Sequence, residues 1–411
     1  MNIGLLSQAL PYLPSRGGFR LYGGNLIRAL SSRHRIDLVS LLIEDDAQHL
    51  DWASAYCASV QTVSANGATL SGKMANAVSA HLWGRPLRHR VEVNALLRAG
   101  LLERKWDILH VEGPFAGGLV AEDLPVAKVL SLHDSWTLRC AEMRKCAQSL
   151  REKAYYTLLG YHEPRYERLV YPRFESCVVV SEQDAAAVRK TVPDCDVEVV
   201  PYAVDTDHFH PVPVPERDIA VAFHGHLGYA PNIEAVLELA DTILPLIRRE
   251  EPRASLHLIA ADPVPRIRAL GNRTDVTLTV NPPDVRPPVC AARVYACPIR
   301  HGTGMKTKVL EALAMQLPVV CYRGSIAGIK CIPGKHLLVA DNPQEFAAHV
   351  LALFREPDRA DAIAAAGREL VMVEYSWESR GRDFEGLYAA AITERRHRSG
   401  PRYSPRRDDI R

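Results

Sequence analysis

Residues 300–320 read RHGTGMKTKVLEALAMQLPVV. Gly302 and Gly304 stand before a run with helical spacing, Lys306 and Lys308 open that run, and Glu311 lies one turn in. The preceding RVYACPI (293–299) and the closing PVVCY (318–322) have the apolar, β-rich character of buried strands, so the stretch is a strand–turn–helix–strand unit. The spacing predicts a helix over 305–315, with Val309, Leu310, Leu313 and Leu317 turned toward a sheet. Glycines ahead of a helix leave backbone N–H groups unpaired, and the helix dipole adds partial positive charge. With Arg300, Lys306 and Lys308 nearby, this is an anion site suited to a diphosphate. Glu311 is one turn deeper, placed to reach past phosphates to the hydroxyls of a ribose, as a carboxylate does in dinucleotide sites. The same residues also fit a plain tight turn followed by a solvated cationic face. A kinase-type phosphate loop is excluded, because no G-x-x-x-x-G-K-[ST] is present.

Outward from this unit the same grammar repeats. In the second half IAVAFHG (219–225), ASLHLIAA (254–261) and DVTLTV (275–280) read as strands, and PNIEAVLELADTILPLIRREEP as one helix with Ile233, Val236, Leu237, Ala240, Ile243 and Leu244 on one face. In the first half MNIGLLSQALPYLP begins as a strand, followed by IDLVSLLI (36–43), DILHVEG (107–113), AKVLSLHD (127–134) and SCVVVSE (176–182). YGGNLIRALSSR and QDAAAVRKTV are helices between them. Strands alternating with helices imply α/β domains with parallel sheets. The proline-dense PYAVDTDHFHPVPVPERD (201–218) loses periodicity and reads as a linker. The expected division is an N-terminal domain over 1–204, a linker over 205–217, a C-terminal domain over 218–380, a helix over 381–395 returning to the first domain, and a basic disordered tail over 396–411.

At 411 residues, 47% hydrophobic and 24% charged, the chain has the composition of a globular protein of two domains. A net charge of +2 gives no global reason to bind nucleic acid. No apolar run approaches the ~18 residues of a membrane span, and the N-terminus lacks the cationic start of a signal peptide. The nine cysteines form no C-x-x-C pair, which fits a reducing cytoplasm rather than a disulfide or zinc framework. HVEGP (110–114) and YHEP (161–164) lack zinc-helix spacing, Asp205 and Asp207 of DTD sit in the linker, and no G-x-S-x-G is present, so no metal or serine-hydrolase site is expected.

PIRHGTGMKTKVLEALAMQLPVV resembles the donor-site signature P-L-R-x-G-x-G-x-K-x-K-V-L-E-A-M-A-x-G-x-P-V-V of the retaining, family 4 glycosyltransferases with the GT-B fold. VPYAVDTDHFHP is similar to their interdomain segment, HGHLGYAPNIEAV to G-S-M-x-Y-x-P-N-x-D-A-V, and GKHLLVADNPQEFAAHVLALFREP with YSWES to the end of their second domain. The Y-x-P-N form resembles the sugar transferases of exopolysaccharide and exosortase systems. The likeness is strong over 201–390; the first half matches through RGGF, LYGGNLIRAL, LHD and VVSEQD. The resemblance implies two Rossmann-like, doubly wound domains facing a central cleft.

It also implies a site, residue by residue. Gly17 and Gly18 match a glycine pair beside the donor, and His133 matches a histidine that lines the sugar pocket. Asp134 is placed to orient it or to cap the next turn. Arg300, Gly302, Gly304, Lys306 and Lys308 would hold the diphosphate, Glu311 the ribose, and His226 is a further contact. Two departures stand out. Thr303 replaces the first glutamate of a pair common in the family, and HGHLGYAPN lacks the arginine and lysine found in G-R-x-x-x-x-K. VNPPDVRPP also replaces a more usual G-x-V-x-D near the base.

The implied reaction moves a sugar from a nucleotide diphosphate donor to an acceptor hydroxyl with retained configuration, with no metal and no other cofactor. The acceptor would be a glycan, a lipid-linked molecule or a small molecule, in polysaccharide, glycoconjugate or natural-product assembly at the cytoplasmic side. The basic, aromatic HLWGRPLRHRVEV (81–93) fits either peripheral docking on the inner membrane face or a solvated helix. The alternatives are a non-catalytic GT-B protein binding a nucleotide sugar or partner enzyme, and a nucleotide-sugar epimerase or hydrolase.

Overall fold

The computed structural model describes residues 1–13, 18–43, 46–65, 79, 89–147, 149–214, 218–300 and 305–399. They divide into two compact units, one formed by Met1–Val200 with the chain from Gly381 onward, the other by Pro201–Arg380. Among the described residues no helix is long and apolar enough to cross a membrane, and every cysteine with a described side chain is a free thiol.

The first unit is built on a seven-stranded sheet of order β3-β2-β1-β4-β5-β6-β7. Its strands are β1 (Asn2–Ser7), β2 (Arg35–Leu42), β3 (Ser59–Ser64), β4 (Ile108–Glu112), β5 (Ala127–His133), β6 (Ser176–Val179) and β7 (Val197–Val199), all paired in parallel. The central strands are buried on both faces, which is why they read as continuous apolar runs. Trp106 closes one end of this core. A Cβ on Gly4 would come within 2.3 Å of its ring and one on Gly100 within 2.2 Å, so both positions admit no side chain. The Trp106 indole donates to the Asp37 carboxylate at 3.0 Å, beside Arg104 and Ser59. Burial raises the Asp37 carboxyl, and these donors outweigh it and hold the group below its ordinary range.

The second unit carries a six-stranded parallel sheet of order β10-β9-β8-β11-β12-β13. Its strands are β8 (Asp218–His226), β9 (Ser255–Ala261), β10 (Val276–Val280), β11 (Ala292–Cys297), β12 (Val319–Tyr322) and β13 (Leu338–Ala340). Val309, Leu310, Leu313 and Leu317 are all buried in its core, as their spacing predicts. In each sheet the strand order reverses once, between β1 and β4 and between β8 and β11. Ligands of open parallel sheets gather at the carboxyl ends of strands flanking such reversals.

Four readings are corrected. The helix expected over 305–315 runs over Thr307–Ala314, with Lys306 at its N-cap. The single helix expected from Pro231 contains a π-turn at Leu239–Ile243 between Ala230–Glu238 and Leu244–Arg248. Pro245 has no N–H to give to the carbonyl of Asp241, and the wider turn absorbs that loss. Strands β3, β7 and β13 were not expected; β3 is polar at the sheet edge, and the other two are three residues each. The helix containing RDFEGLYAAAIT spans Trp377–Ser399, so residues 396–399 are helical rather than part of a disordered tail. Of the basic, aromatic stretch 81–93, residues 81–88 lie outside the described residues, and Arg90–Arg104 is a helix.

Candidate functional site

In the second unit β8 delivers His224, Gly225 and His226 to the carboxyl end of the sheet, next to the reversal. The Thr307–Ala314 helix brings Lys308 and Glu311 against the same strand end. Glu311 accepts a hydrogen bond from His224 Nε2 at 2.6 Å. Burial raises the Glu311 carboxyl, but His224, Lys308 and Thr307 outweigh it and hold the group below its ordinary range. The acid is therefore an acceptor throughout the neutral range. His224 is buried, and its Nδ1 has no partner among the described residues.

Lys308 donates to Asn232 Oδ1 at 2.6 Å, and its ammonium lies 4.7 Å from the centre of the Phe223 ring. Burial pulls this ammonium below its ordinary range, with Lys306 adding to the pull. Asn232 is fixed in turn by donating to the His226 carbonyl at 2.9 Å. Gly225 has φ +153°, and a Cβ there would lie 2.8 Å from Lys308 Nζ, so the bare backbone makes room for the cation. Lys306 is buried at the N-cap, and its side chain makes no capping hydrogen bond to this helix. Its first N–H groups add partial positive charge where the two lysines stand.

The other sequence candidates distribute unevenly. Arg300 turns to Glu238, at 2.9 Å, and stacks on Tyr322, whose hydroxyl also donates to Glu238. Its charge is thus already answered. His226 is exposed, with Nε2 3.9 Å from Asp262. Gly17, Gly302, Thr303 and Gly304 lie outside the described residues, and Gly18 opens the Gly18–Ser31 helix.

In the first unit His133 ends β5 in the left-handed region, at φ +65°, a conformation a non-glycine residue holds only when its surroundings impose it. The surroundings are Phe19 and Tyr22, edge-on to the imidazole at 4.7 and 4.5 Å, and the carboxylate of Glu112, bonded to Nε2. Glu112 is wholly buried at the end of β4 and also bonds His110 Nε2 at 3.1 Å. The hydroxyl of Tyr388 reaches His110 Nδ1 at 2.9 Å. Burial raises the Glu112 carboxyl, yet the charge and hydrogen bonds of His133 and His110 bring it down to about 2. An ionised Glu112 accepts from the Nε2–H groups of both imidazoles and so fixes the ring of His133. Asp134 does not orient His133; its carboxylate pairs with Arg139, and Ser135 caps the next helix.

The residues that sequence reasoning missed are Glu112, His224 and Asn232. Glu112 lies in HVEGP, set aside for lacking metal spacing, and His224 and Asn232 lie in quoted motifs without having been singled out. A signal was available for Glu112 and His224: a charged or titratable residue at the end of an otherwise apolar parallel strand.

A model described as glycosyl transferases group 1 matches residues 218–356, and one described as Glycosyltransferase Family 4 matches 16–208. A GDP-mannose-dependent alpha-(1-6)-phosphatidylinositol monomannoside mannosyltransferase of Mycobacterium tuberculosis is 30% identical over 210 residues, covering 46% of this chain and 54% of the relative. The protein of the same description from Mycolicibacterium smegmatis is 28% identical over 212 residues, covering 46% of this chain and 55% of the relative. The chain thus spans about half the length of the curated relatives it matches. Sucrose-phosphate synthase from Thermosynechococcus elongatus superposes with a TM-score of 0.65 at 14% identity, covering 96% of this chain and 99% of that one. Anabaena HepE in complex with UDP gives 0.64 at 13% identity, covering 95% and 100%. At these identities the likeness is one of fold.

Proposed function

The chain belongs to the family 4, group 1 glycosyltransferases of GT-B fold, and from that premise we propose that it transfers a sugar from a nucleotide diphosphate donor to an acceptor hydroxyl with retained anomeric configuration. The observation that carries this reading is the joint placement of Glu311, His224, Lys306 and Lys308 at one strand end and one helix N-terminus. Glu311 takes the ribose hydroxyls, and His224 is a positioning residue that holds its carboxylate. Lys306, Lys308 and the helix N-terminus take the diphosphate. The leaving diphosphate gains charge in the transition state, where preorganised donors contribute most. A diphosphate oxygen accepts the acceptor's proton, so no separate protein base is needed. In the first unit His133 is the candidate for a sugar contact, its imidazole fixed by Glu112, with His110 and Tyr388 behind that carboxylate.

The cationic groups stand in for a metal, so chelation by EDTA leaves the rate unchanged. The names of the mycobacterial relatives make GDP-mannose the first donor to test, and the UDP complex of HepE makes UDP-sugars the second. Polysaccharide or glycoconjugate assembly at the cytoplasmic side is the setting proposed. The deciding experiment incubates the protein with labelled donors and a panel of hydroxyl acceptors, and reads product configuration by NMR. An α-linked product from an α-donor supports the reading. Donor hydrolysis or epimerisation with no acceptor product, or tight nucleotide binding without turnover, contradicts it.

A further inference from the structure

The Trp136–Cys146 and Leu150–Val170 helices form an antiparallel hairpin that leaves the sheet just after β5. Its base is fixed where the Thr137 N–H donates to Glu167 at 3.1 Å and a Cβ on Gly160 would lie 3.9 Å from the Cβ of Cys140. The shorter helix starts three residues after His133 and rises ~1.5 Å per residue, so the tip of the hairpin projects past the strand end that carries His133. Pro164 divides the longer helix into a base packed through Tyr166, Glu167 and Val170, and a projecting half over 150–161.

The projecting half has an outer face of unusual character. Leu150, Ala154, Leu158 and Tyr161 follow at helical spacing, with Leu150 86% and Tyr161 79% exposed. Tyr155 is also exposed. Arg151, Lys153 and Arg165 border them, and Arg144 and Lys145 stand at the end of the neighbouring helix. The acids of the hairpin are engaged: Glu142 pairs with Lys145 at 3.3 Å, Glu152 is drawn into a capping box with Ser149, and Glu163 and Glu167 are buried. Exposed leucine and tyrosine within a cationic border and no acid on the face match the boundary of an anionic bilayer, where apolar groups enter and lysine and arginine meet the headgroups. We propose that this hairpin docks the protein on an anionic lipid surface. The placement would present the His133 end of the first unit to an acceptor carried in the lipid, a corollary that rests on the transfer reaction proposed above; the docking itself does not.

The test is flotation of the full chain with phosphatidylcholine vesicles, with and without phosphatidylglycerol. Binding is expected only with the anionic lipid, falling as NaCl rises. Leu158→Ser with Tyr161→Ser, and separately Arg151→Glu with Lys153→Glu, should each lower the partition at least tenfold. Both variants should keep the wild-type affinity for a nucleoside diphosphate, which separates loss of docking from failure of the donor site. Because the second variant alters only exposed charges, it decides the matter if the first does not fold. Equal binding to neutral vesicles, binding retained by the variants, or a dimer in sedimentation that the Leu158/Tyr161 variant disrupts without any vesicle binding would overturn the proposal.

Discussion

Glu311→Ala is the substitution whose consequence can be worked through most fully. One carboxylate oxygen of Glu311 is held by His224 at 2.6 Å, and the group is kept ionised by His224 and Lys308. A hydroxyl hydrogen-bonded to such a carboxylate contributes about 1.5–3 kcal/mol. At 1.4 kcal/mol per tenfold, losing the ribose contact weakens a nucleoside diphosphate by roughly ten- to a hundredfold. Calorimetric titration with the ribonucleoside diphosphate and its 2′,3′-dideoxy analogue isolates that contact. In the wild type the analogue should bind weaker by this factor; in Glu311→Ala the two ligands should bind alike. His224→Ala should lose part of the discrimination, and His224→Gln, which keeps a donor, should regain some of it. An unchanged gap between the two ligands in Glu311→Ala, with the variant folded, would refute the assignment of this carboxylate to the ribose.

Other outcomes follow from the same geometry. Lys306→Ala should raise the barrier to transfer by about 2–4 kcal/mol, as loss of a single preorganised donor does; a kcat/KM within threefold of wild type would remove it from the diphosphate site. Gly225→Ala places a methyl 2.8 Å from Lys308 Nζ at φ +153°, and should cost about tenfold in diphosphate affinity through one displaced charged contact, read by titration. Glu163 is raised from 4.5 to about 7 by burial and by Glu167. A raised acid binds more protons folded than unfolded, so its unfavourable term is absent below pH 4.5 and complete above about pH 7. Glu163→Gln should therefore stabilise the protein by on the order of 1–3 kcal/mol at pH 8 and by almost nothing at pH 4, read as melting temperature against pH.

What the sequence disclosed depends on how far apart the interacting residues lie. The buried strands were legible because a strand covered on both faces is apolar without interruption, and β4, β5, β8 and β11 fall within a residue or two of their expected bounds. The edge strands β3, β7 and β13 were not, since four of the six residues of SVQTVS are polar and three-residue strands carry no periodicity. The helix after β11 and its buried face followed from local spacing alone. The partners that tune the site did not: Glu112 is 21 residues from His133, and His224 is 87 from Glu311. Nothing local links such pairs; the parallel register of β4 and β5 brings the first together, and the Thr307–Ala314 helix lying against the end of β8 the second. Arg300 is a further case: its guanidinium pairs with Glu238, 62 residues away.

The most direct test of the central claim is thermal stabilisation by UDP, GDP, dTDP and ADP, each with Mg²⁺ or EDTA, on wild type and Glu311→Ala. A ligand at about 100 times its dissociation constant adds about 2.7 kcal/mol to a protein that binds it only when folded. The account predicts such a shift with at least one diphosphate, the same with and without metal, and reduced in the variant. No shift with any of the four, or an equal shift in Glu311→Ala, would contradict it.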